Sequence, residues 1–349
     1  MWFGLNILNK RKVKEMFNVA LVGAGFIGMA HIEAYKKIPD AKVVAVINRS
    51  AEKGAKAVEA AGGDCTYYAT LDEALAAKKI DAVDICTPTN LHEEFVVKAA
   101  GAKCHVLCEK PATFDLESFD RMAGACKANN VYFMVAQVAR WWPEFITIKD
   151  YIRQGKLGNI HMIYEKRLAQ HPNWSTWHRK PEISGGGLYD MNVHDIDYLY
   201  SLFGMPCQVY ANGWKSPSGC WNHISTNLTW EDGTNAICET SLEMTGPFPF
   251  SIEFRGCGDN GTIAYSLTAG HNIKDGEQGS NLVYYPAGEE GAMHIEAEQK
   301  DMFVGEISDF IHAVKEETEV PVPPAQSRQV LKIILAIKKS LEEGIVVKL

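Results

Sequence analysis

The sequence predicts an α/β chain: a doubly wound parallel sheet, then a second α/β unit with a large, mostly antiparallel, open-faced sheet. Three observations carry this prediction. From Phe17 to Ala136, short apolar runs alternate with amphipathic helical patterns. A glycine-rich turn, GAGFIG, joins the first run to the first helix. After Gln137 the runs alternate residue by residue, as strands do when one face is covered and the other open.

At 349 residues the chain exceeds one ordinary core, so two units are expected: 17–138 and 139–349, after an extension of 1–16. Hydrophobic residues at 46% and charged residues at 22% describe an ordinary globular protein. A formal charge of −8 argues against nucleic acid or an anionic membrane as partner. The nine cysteines form no C-x-x-C pair, and several sit in apolar runs. This reads as reduced packing in the cytoplasm, with no disulfide framework. No apolar run reaches the ~18 residues of a membrane helix. In MWFGLNILNKRKVKE the basic cluster follows the apolar part, the reverse of a secretory leader.

FNVALV (17–22), VVAVI (43–47), AVDIC (82–86), HVLC (105–108) and VYFMVA (131–136) are continuous apolar runs, as in a sheet buried on both faces. Helical patterns lie between and after them at 27–38, 51–61, 71–78, 89–101 and 115–129, with Thr70 and Asp115 placed as N-caps.

Strand before and helix after give the G-x-G-x-x-G of Gly23, Gly25 and Gly28 its meaning as a dinucleotide loop. The first glycine permits the turn, the second admits a pyrophosphate, and the third lets helix and strand pack closely. Free N–H groups of the loop and helix start, at Phe26 and Ile27, would hold the phosphate. Asn48 lies 20 residues beyond Gly28, where an acidic residue would bind the ribose diol of NAD. Asn48 and a stacked Arg49 suit NAD, whereas Arg49, Ser50 and Lys53 suit the 2′-phosphate of NADP. The cofactor is thus NAD or NADP, with both open.

In the usual strand order, the first, fourth and fifth strands are neighbours, so their following loops open into one crevice. Those loops are TPTNLHEEF (87–95) and CEKPATF (108–114). They add Thr87, Pro88, Asn90, Glu109 and Lys110 to the expected cofactor set, and Gln137 joins after the last run. Lys110, directly after a buried strand and pinned by Pro111, faces the crevice. His92 reads as a helix-start residue at the loop rim.

GAGFIG, TPTNLHEEFVVKAAGAKCHVLCEKP and GGGLYDMNVHDIDYL (185–199) together resemble the Gfo/Idh/MocA oxidoreductases, over nearly the whole chain from about Phe17. The resemblance implies an N-terminal Rossmann domain and a C-terminal α/β domain with a large, mostly antiparallel sheet. It implies reversible hydride transfer between nicotinamide and a sugar or polyol carbinol. It places Lys110 of the E-K-P element, with Asp190 and His194 of D-x-x-x-H, around the reacting oxygen. It also brings Trp177 to Arg179 over the cofactor. Asn192 stands where many members have glycine, and Asn48 where many NAD-using members have aspartate.

In the second half IHMIYEKRLA, CQVYANGW, ISTNLTW, NAICETSLEM, FSIEFRGC and GTIAYSL alternate as strands, with GDNG (258–261) as a hairpin turn. Residues 270–292 are glycine-rich and polar and read as a mobile loop. Residues 326–343 form an amphipathic helix with an apolar stripe of Val330, Ile333, Ile334 and Ile337. Residues 188–203, read as one helix, are apolar on two arcs, with a polar stripe of Asp190, His194, Asp197 and Ser201 between them. A helix with two apolar flanks is buried, so the stripe must meet buried partners or a cleft. A purely structural Asp190–His194 hydrogen bond and a chemical pair both fit these residues. With no close third ligand, no metal is expected.

Joined to Lys110, the stripe reads as chemistry. His194 would act as general base, Lys110 would stabilise alkoxide character, and Asp190 would orient substrate hydroxyls and support the charged imidazole. Seven of the eight tryptophans follow residue 140. Trp174 and Trp177, in HPNWSTWHRKPE, are expected at the substrate site, while Trp214 and Trp230 read as packing residues. The substrate class is then a sugar, glycoside or cyclitol, oxidised at a ring secondary hydroxyl, by a homodimer or homotetramer. Two alternatives are a glycosidase using NAD transiently and a non-catalytic dinucleotide or sugar sensor of the same fold.

Overall fold

The apolar runs of the first third pair as a parallel sheet because each is covered by helices on both faces. The computed structural model describes residues 15–172, 177–270 and 277–349. Strands β1 (Phe17–Val22), β2 (Ala41–Ile47), β3 (Thr66–Tyr68), β4 (Ala82–Ile85), β5 (His105–Glu109) and β6 (Phe133–Ala136) lie in the order β3-β2-β1-β4-β5-β6. All five pairings are parallel. The short, partly exposed β3 carries no apolar run and was not expected. Helices α1 (Phe26–Tyr35), α2 (Ala51–Ala61), α3 (Leu71–Ala77), α4 (His92–Gly101) and α5 (Leu116–Ala128) make the crossovers. Thr70 caps α3 by accepting the Glu73 N–H at 3.3 Å, and Asp115 caps α5 by accepting that of Ser118 at 2.8 Å.

A 3₁₀ turn at Val138–Trp141 leads into α6 (Pro143–Arg153), with proline at its first position. The second sheet contains β7 (Ile160–Leu168), β8 (Gln208–Lys215), β9 (Trp221–Thr229), β10 (Asn235–Ser241), β11 (Ser251–Gly258), β12 (Gly261–Ala269), β13 (Glu277–Pro286), β14 (Met293–His294) and β15 (Val347–Lys348). Their order is β14-β13-β12-β11-β7-β10-β9-β8-β15. Among the described residues of this sheet, only β7 and β10 pair in parallel. The Gly258–Gly261 pair closes the expected hairpin.

Residues 270–292 are not one long loop. β13 occupies 277–286 of the segment, because Leu282, Val283 and Tyr284 of its apolar half are buried against the sheet. Residues 271–276 lie outside the described residues.

The helix expected over 188–203 is broken. After α7 (Pro181–Ser184) come α8 (Gly187–Asp190) and α9 (Asn192–Phe203), separated by Met191 at φ −103° and ψ −52°. The His194 N–H bonds the Met191 carbonyl, three residues back instead of four. The break falls where the buried amide of Asn192 donates to Thr240 Oγ1 at 2.8 Å.

The chain ends with α10 (Met302–Lys315), which returns to pack on α1, and α11 (Pro324–Glu343), which lies against α9 and β8 and reaches α5. Phe145 stacks on Tyr198 with ring centroids 4.4 Å apart, inside the core that joins the two sheets. All nine cysteines are free thiols. Among the described residues, no helix is long and apolar enough to cross a membrane.

Candidate active site

The glycine loop has the geometry its three glycines predict. Gly23 adopts φ +103°, and a Cβ there would lie 2.5 Å from the Cys86 carbonyl oxygen. At Gly28 a Cβ would sit 2.0 Å from the Gly23 oxygen, so close packing of α1 on β1 excludes a side chain. A Cβ at Gly25 would meet no atom within 4 Å, which leaves the space above the loop open. Gly25 is the N-cap of α1 and carries no side chain, so the helix opens at the loop, where its positive end suits a phosphate. At the same sheet edge, Thr87 Oγ1 and Gln137 Oε1 are buried polar atoms with no protein partner among the described residues. An open loop at a helix start and the buried polar atoms of Thr87 and Gln137 fit a dinucleotide.

Asn48 has a different partner from the one expected. Its Oδ1 accepts the Ala24 N–H at 3.0 Å and its Nδ2 donates to the Ser50 carbonyl at 2.9 Å, so both ends of the amide hold the loop. The hydroxyl of Ser50 caps α2. Arg49 between them is exposed, as is Asn90 beyond Pro88.

Lys110 leaves the end of β5 and meets α8. Its Nζ donates to the Asp190 carbonyl at 2.8 Å and to Asp190 Oδ1 at 2.9 Å, with side chains only 12% and 21% exposed. Burial pushes the Asp190 carboxyl up, but Lys110, then His178 and His171, hold it below its usual value. His194 is on the first turn of α9. Burial first, then Lys110 and Arg167, push its pKa well below the ordinary imidazole value, so it is neutral near pH 7. The expected support of a charged His194 by Asp190 is therefore not what the geometry provides. Asp190 pairs with the lysine, and burial, reinforced by the lysine's charge, keeps His194 neutral. The rest of the polar stripe turns inward: Arg140 grips Asp197 at 2.7 and 2.8 Å, and Ser201 Oγ donates to the Tyr198 carbonyl.

Two histidines join this group without having been singled out in the sequence. His178 and His171 both act on Asp190, and burial holds both below the ordinary imidazole value. Trp177 stacks on His178 with centroids 3.9 Å apart. Trp174 lies outside the described residues. Arg179 sits at the rim, 57% exposed, 3.9 Å from Glu243.

His92 is not a rim residue. It is buried, and its ring reaches the carbonyl oxygens of Thr87, Pro111 and Ala112 at 2.8, 3.0 and 3.2 Å. It therefore ties the β4 and β5 loops together. Glu109 points back into the first domain's interior, with Oε2 accepting the Lys110 backbone N–H at 3.0 Å. Trp230 is packed as expected, whereas Trp214 is 49% exposed on the second sheet.

Comparison with known proteins agrees with this fold. Residues 17–137 match the family model of an oxidoreductase family with an NAD-binding Rossmann fold, and residues 145–264 match the GFO/IDH/MocA C-terminal domain. The chain is 31% identical over 255 residues to the scyllo-inositol 2-dehydrogenase (NADP(+)) of Bacillus subtilis, covering 71% of this chain and 75% of the relative. It is 27% identical over 342 residues to the myo-inositol 2-dehydrogenase of Thermotoga maritima, covering 95% and 98%. Its fold matches the aldose-aldose oxidoreductase of Caulobacter crescentus with a TM-score of 0.84 at 21% identity, over 96% of this chain and 100% of that one. The parallel sheet is an NAD-binding Rossmann domain that takes NAD or NADP, and the chain belongs to the GFO/IDH/MocA family of oxidoreductases.

Proposed function

We propose that this oxidoreductase moves hydride between NAD(P) and a ring secondary hydroxyl of a sugar, glycoside or cyclitol, with Lys110, Asp190 and His194 as its reactive set. The observation that carries the reading is the buried Lys110–Asp190 contact beside a neutral His194, at the sheet edge that bears the glycine loop. When bound, the nicotinamide ring supplies the hydride acceptor. An ammonium has three donors, and Asp190 occupies two of those on Lys110, leaving one for the substrate oxygen. That donor stabilises alkoxide character as the carbon–hydrogen bond breaks. The neutral ring of His194 takes the hydroxyl proton. Trp177, with Trp174 from the same aromatic loop, offers faces to the C–H side of a ring. His171 and His178 offer polar contacts to its hydroxyls.

The exposed side chain of Arg49, beside an Asn48 already committed to the loop, favours the 2′-phosphate of NADP. The division of the chain at residues 138 and 139 belongs to this reading. So does assembly as a homodimer or homotetramer through the second sheet, whose open face exposes Met162, Tyr210 and Trp214. Myo-inositol, scyllo-inositol and a panel of hexoses and glucosides, each tested with NAD and NADP, decide the substrate. Reduction of cofactor by a ring polyol supports the proposal, and turnover of small aliphatic alcohols alone contradicts it. Light scattering tests the assembly, and a monomer contradicts it.

A further inference from the structure

Behind the glycine loop lies a second set of ionisable groups, fully enclosed. His31 on α1 and Glu306 on α10 are both 0% exposed, as is Asp84 on β4, and Glu109 on β5 is 6% exposed. His31 Nδ1 is 2.8 Å from Asp84 Oδ2, which also accepts from the Tyr35 hydroxyl at 3.0 Å. His31 Nε2 is 3.3 Å from Glu109 Oε1, an ion-pair contact without hydrogen-bond alignment. Cys86 Sγ lies 3.5 Å from both His31 Nδ1 and Asp84 Oδ1. The ring of Phe303 packs on the imidazole at 5.5 Å.

Both imidazole nitrogens thus face carboxyl oxygens, and only the cation carries a donor on each. Burial opposes charging His31, but Asp84 and Cys86 together outweigh it and hold the ring well above its ordinary value. Burial, reinforced by Glu109, raises Glu306 well above the carboxylate range, so it is neutral. A metal ion is the competing occupant of His31, Asp84 and Cys86, whose ligand atoms lie within 4.8 Å of one another. Tetrahedral zinc ligands sit about 3.3 Å apart. The 2.8 Å His31–Asp84 contact is instead that of a charge-assisted hydrogen bond.

We propose that His31 is an imidazolium that positions Lys110 through Glu109. One oxygen of Glu109 faces the ring, and the other holds the Lys110 backbone N–H. His31 stands on the helix that opens at the glycine loop. One buried cation therefore links the phosphate-binding turn, the β4 and β5 crevice and the base of the reactive lysine. It also neutralises the Glu109 charge that Lys110 would otherwise feel. His31 and Glu109 are positioning residues, and the consequence for turnover rests on the function proposed above.

The test reads Lys110 directly, so it stands whether or not a substrate is found. Trinitrobenzenesulfonate labelling of Lys110, followed by peptide mass spectrometry at fixed pH, is compared in wild type, His31→Gln and Glu109→Gln. His31→Gln leaves Glu109 unneutralised, favours the ammonium and slows labelling by about threefold or more. Glu109→Gln keeps an oxygen for the Lys110 N–H but removes the charge, and speeds labelling by about threefold or more. A packing role would move both variants the same way. Turnover of the best substrate falls about tenfold or more at little-changed KM for that substrate in both. Labelling that is unchanged in both, or shifted in the same direction in both, overturns the proposal. So does a stoichiometric metal in the purified protein by elemental analysis. If His31→Gln does not fold, Glu109→Gln decides alone, and unchanged labelling there overturns it.

Discussion

Lys110→Met removes the ammonium while keeping most of the apolar stem, which makes it a clean perturbation of the reactive set. In the resting protein it deletes two hydrogen bonds to Asp190 and leaves that carboxylate mostly buried without its nearest cation. Losing bonds to a largely buried charged group costs about 1–3 kcal/mol of stability, a drop visible in thermal melts. The larger effect falls on turnover. Removing one preorganised donor from a developing oxyanion costs about 2.7–4 kcal/mol, or roughly 10²–10³ in kcat. The glycine loop is untouched, so NADPH affinity by fluorescence titration stays within about threefold of wild type. Removing Lys110 also removes one of the charges that depress His194, so the acid limb of any residual activity moves upward in pH. A Lys110→Met variant that turns over within about threefold of wild type would refute the assignment of this lysine to the reacting oxygen.

The pH dependence follows from His194. Its native pKa is depressed, so it stays neutral as pH falls through its unfolded value near 6.5, and kcat/KM loses activity only below that point. The same residue binds fewer protons folded than unfolded in that interval. Its contribution to stability therefore weakens as pH drops from about 6.5 toward the lowered value, which thermal melts across pH check. Arg49→Ala raises the Kd for NADPH about tenfold and that for NADH less than about threefold; equal losses would contradict a 2′-phosphate contact. The second and third loop glycines separate space from packing. Gly25→Ala meets no protein atom, so it leaves the melting temperature unchanged and weakens cofactor binding about tenfold or more. Gly28→Ala drives its Cβ into the Gly23 oxygen and lowers the melting temperature as well.

The parallel sheet was legible because its strands are buried on both faces and appear as unbroken apolar runs, and because turn glycines mark where the first strand ends. The Lys110–Asp190 meeting was legible only as an inference from strand order and family motif, since 80 residues separate the pair. What stayed hidden was carried by contacts across the fold. The break at Met191 accompanies a bond between Asn192 and Thr240, 48 residues apart, and helical periodicity has no register of that. Asn48 was singled out at the right loop, but its side chain bonds the turn itself, a choice that depends on where Ala24 lies. His31 and Asp84 each appear as one polar residue in an apolar stretch, which leaves the periodicity intact, and only their 2.8 Å meeting reveals a network. The strand at 277–286 was hidden by its polar first half, although Leu282, Val283 and Tyr284, which follow, are a buried run.

The most direct measurement is a crystal structure of the protein with NADPH and the ring polyol it oxidises or, if none is found, myo-inositol. The account predicts one carbinol oxygen within about 2.6–3.2 Å of both Lys110 Nζ and a ring nitrogen of His194, with its carbon against the nicotinamide. A polyol bound with its nearest carbinol oxygen beyond hydrogen-bond reach of both groups would contradict it.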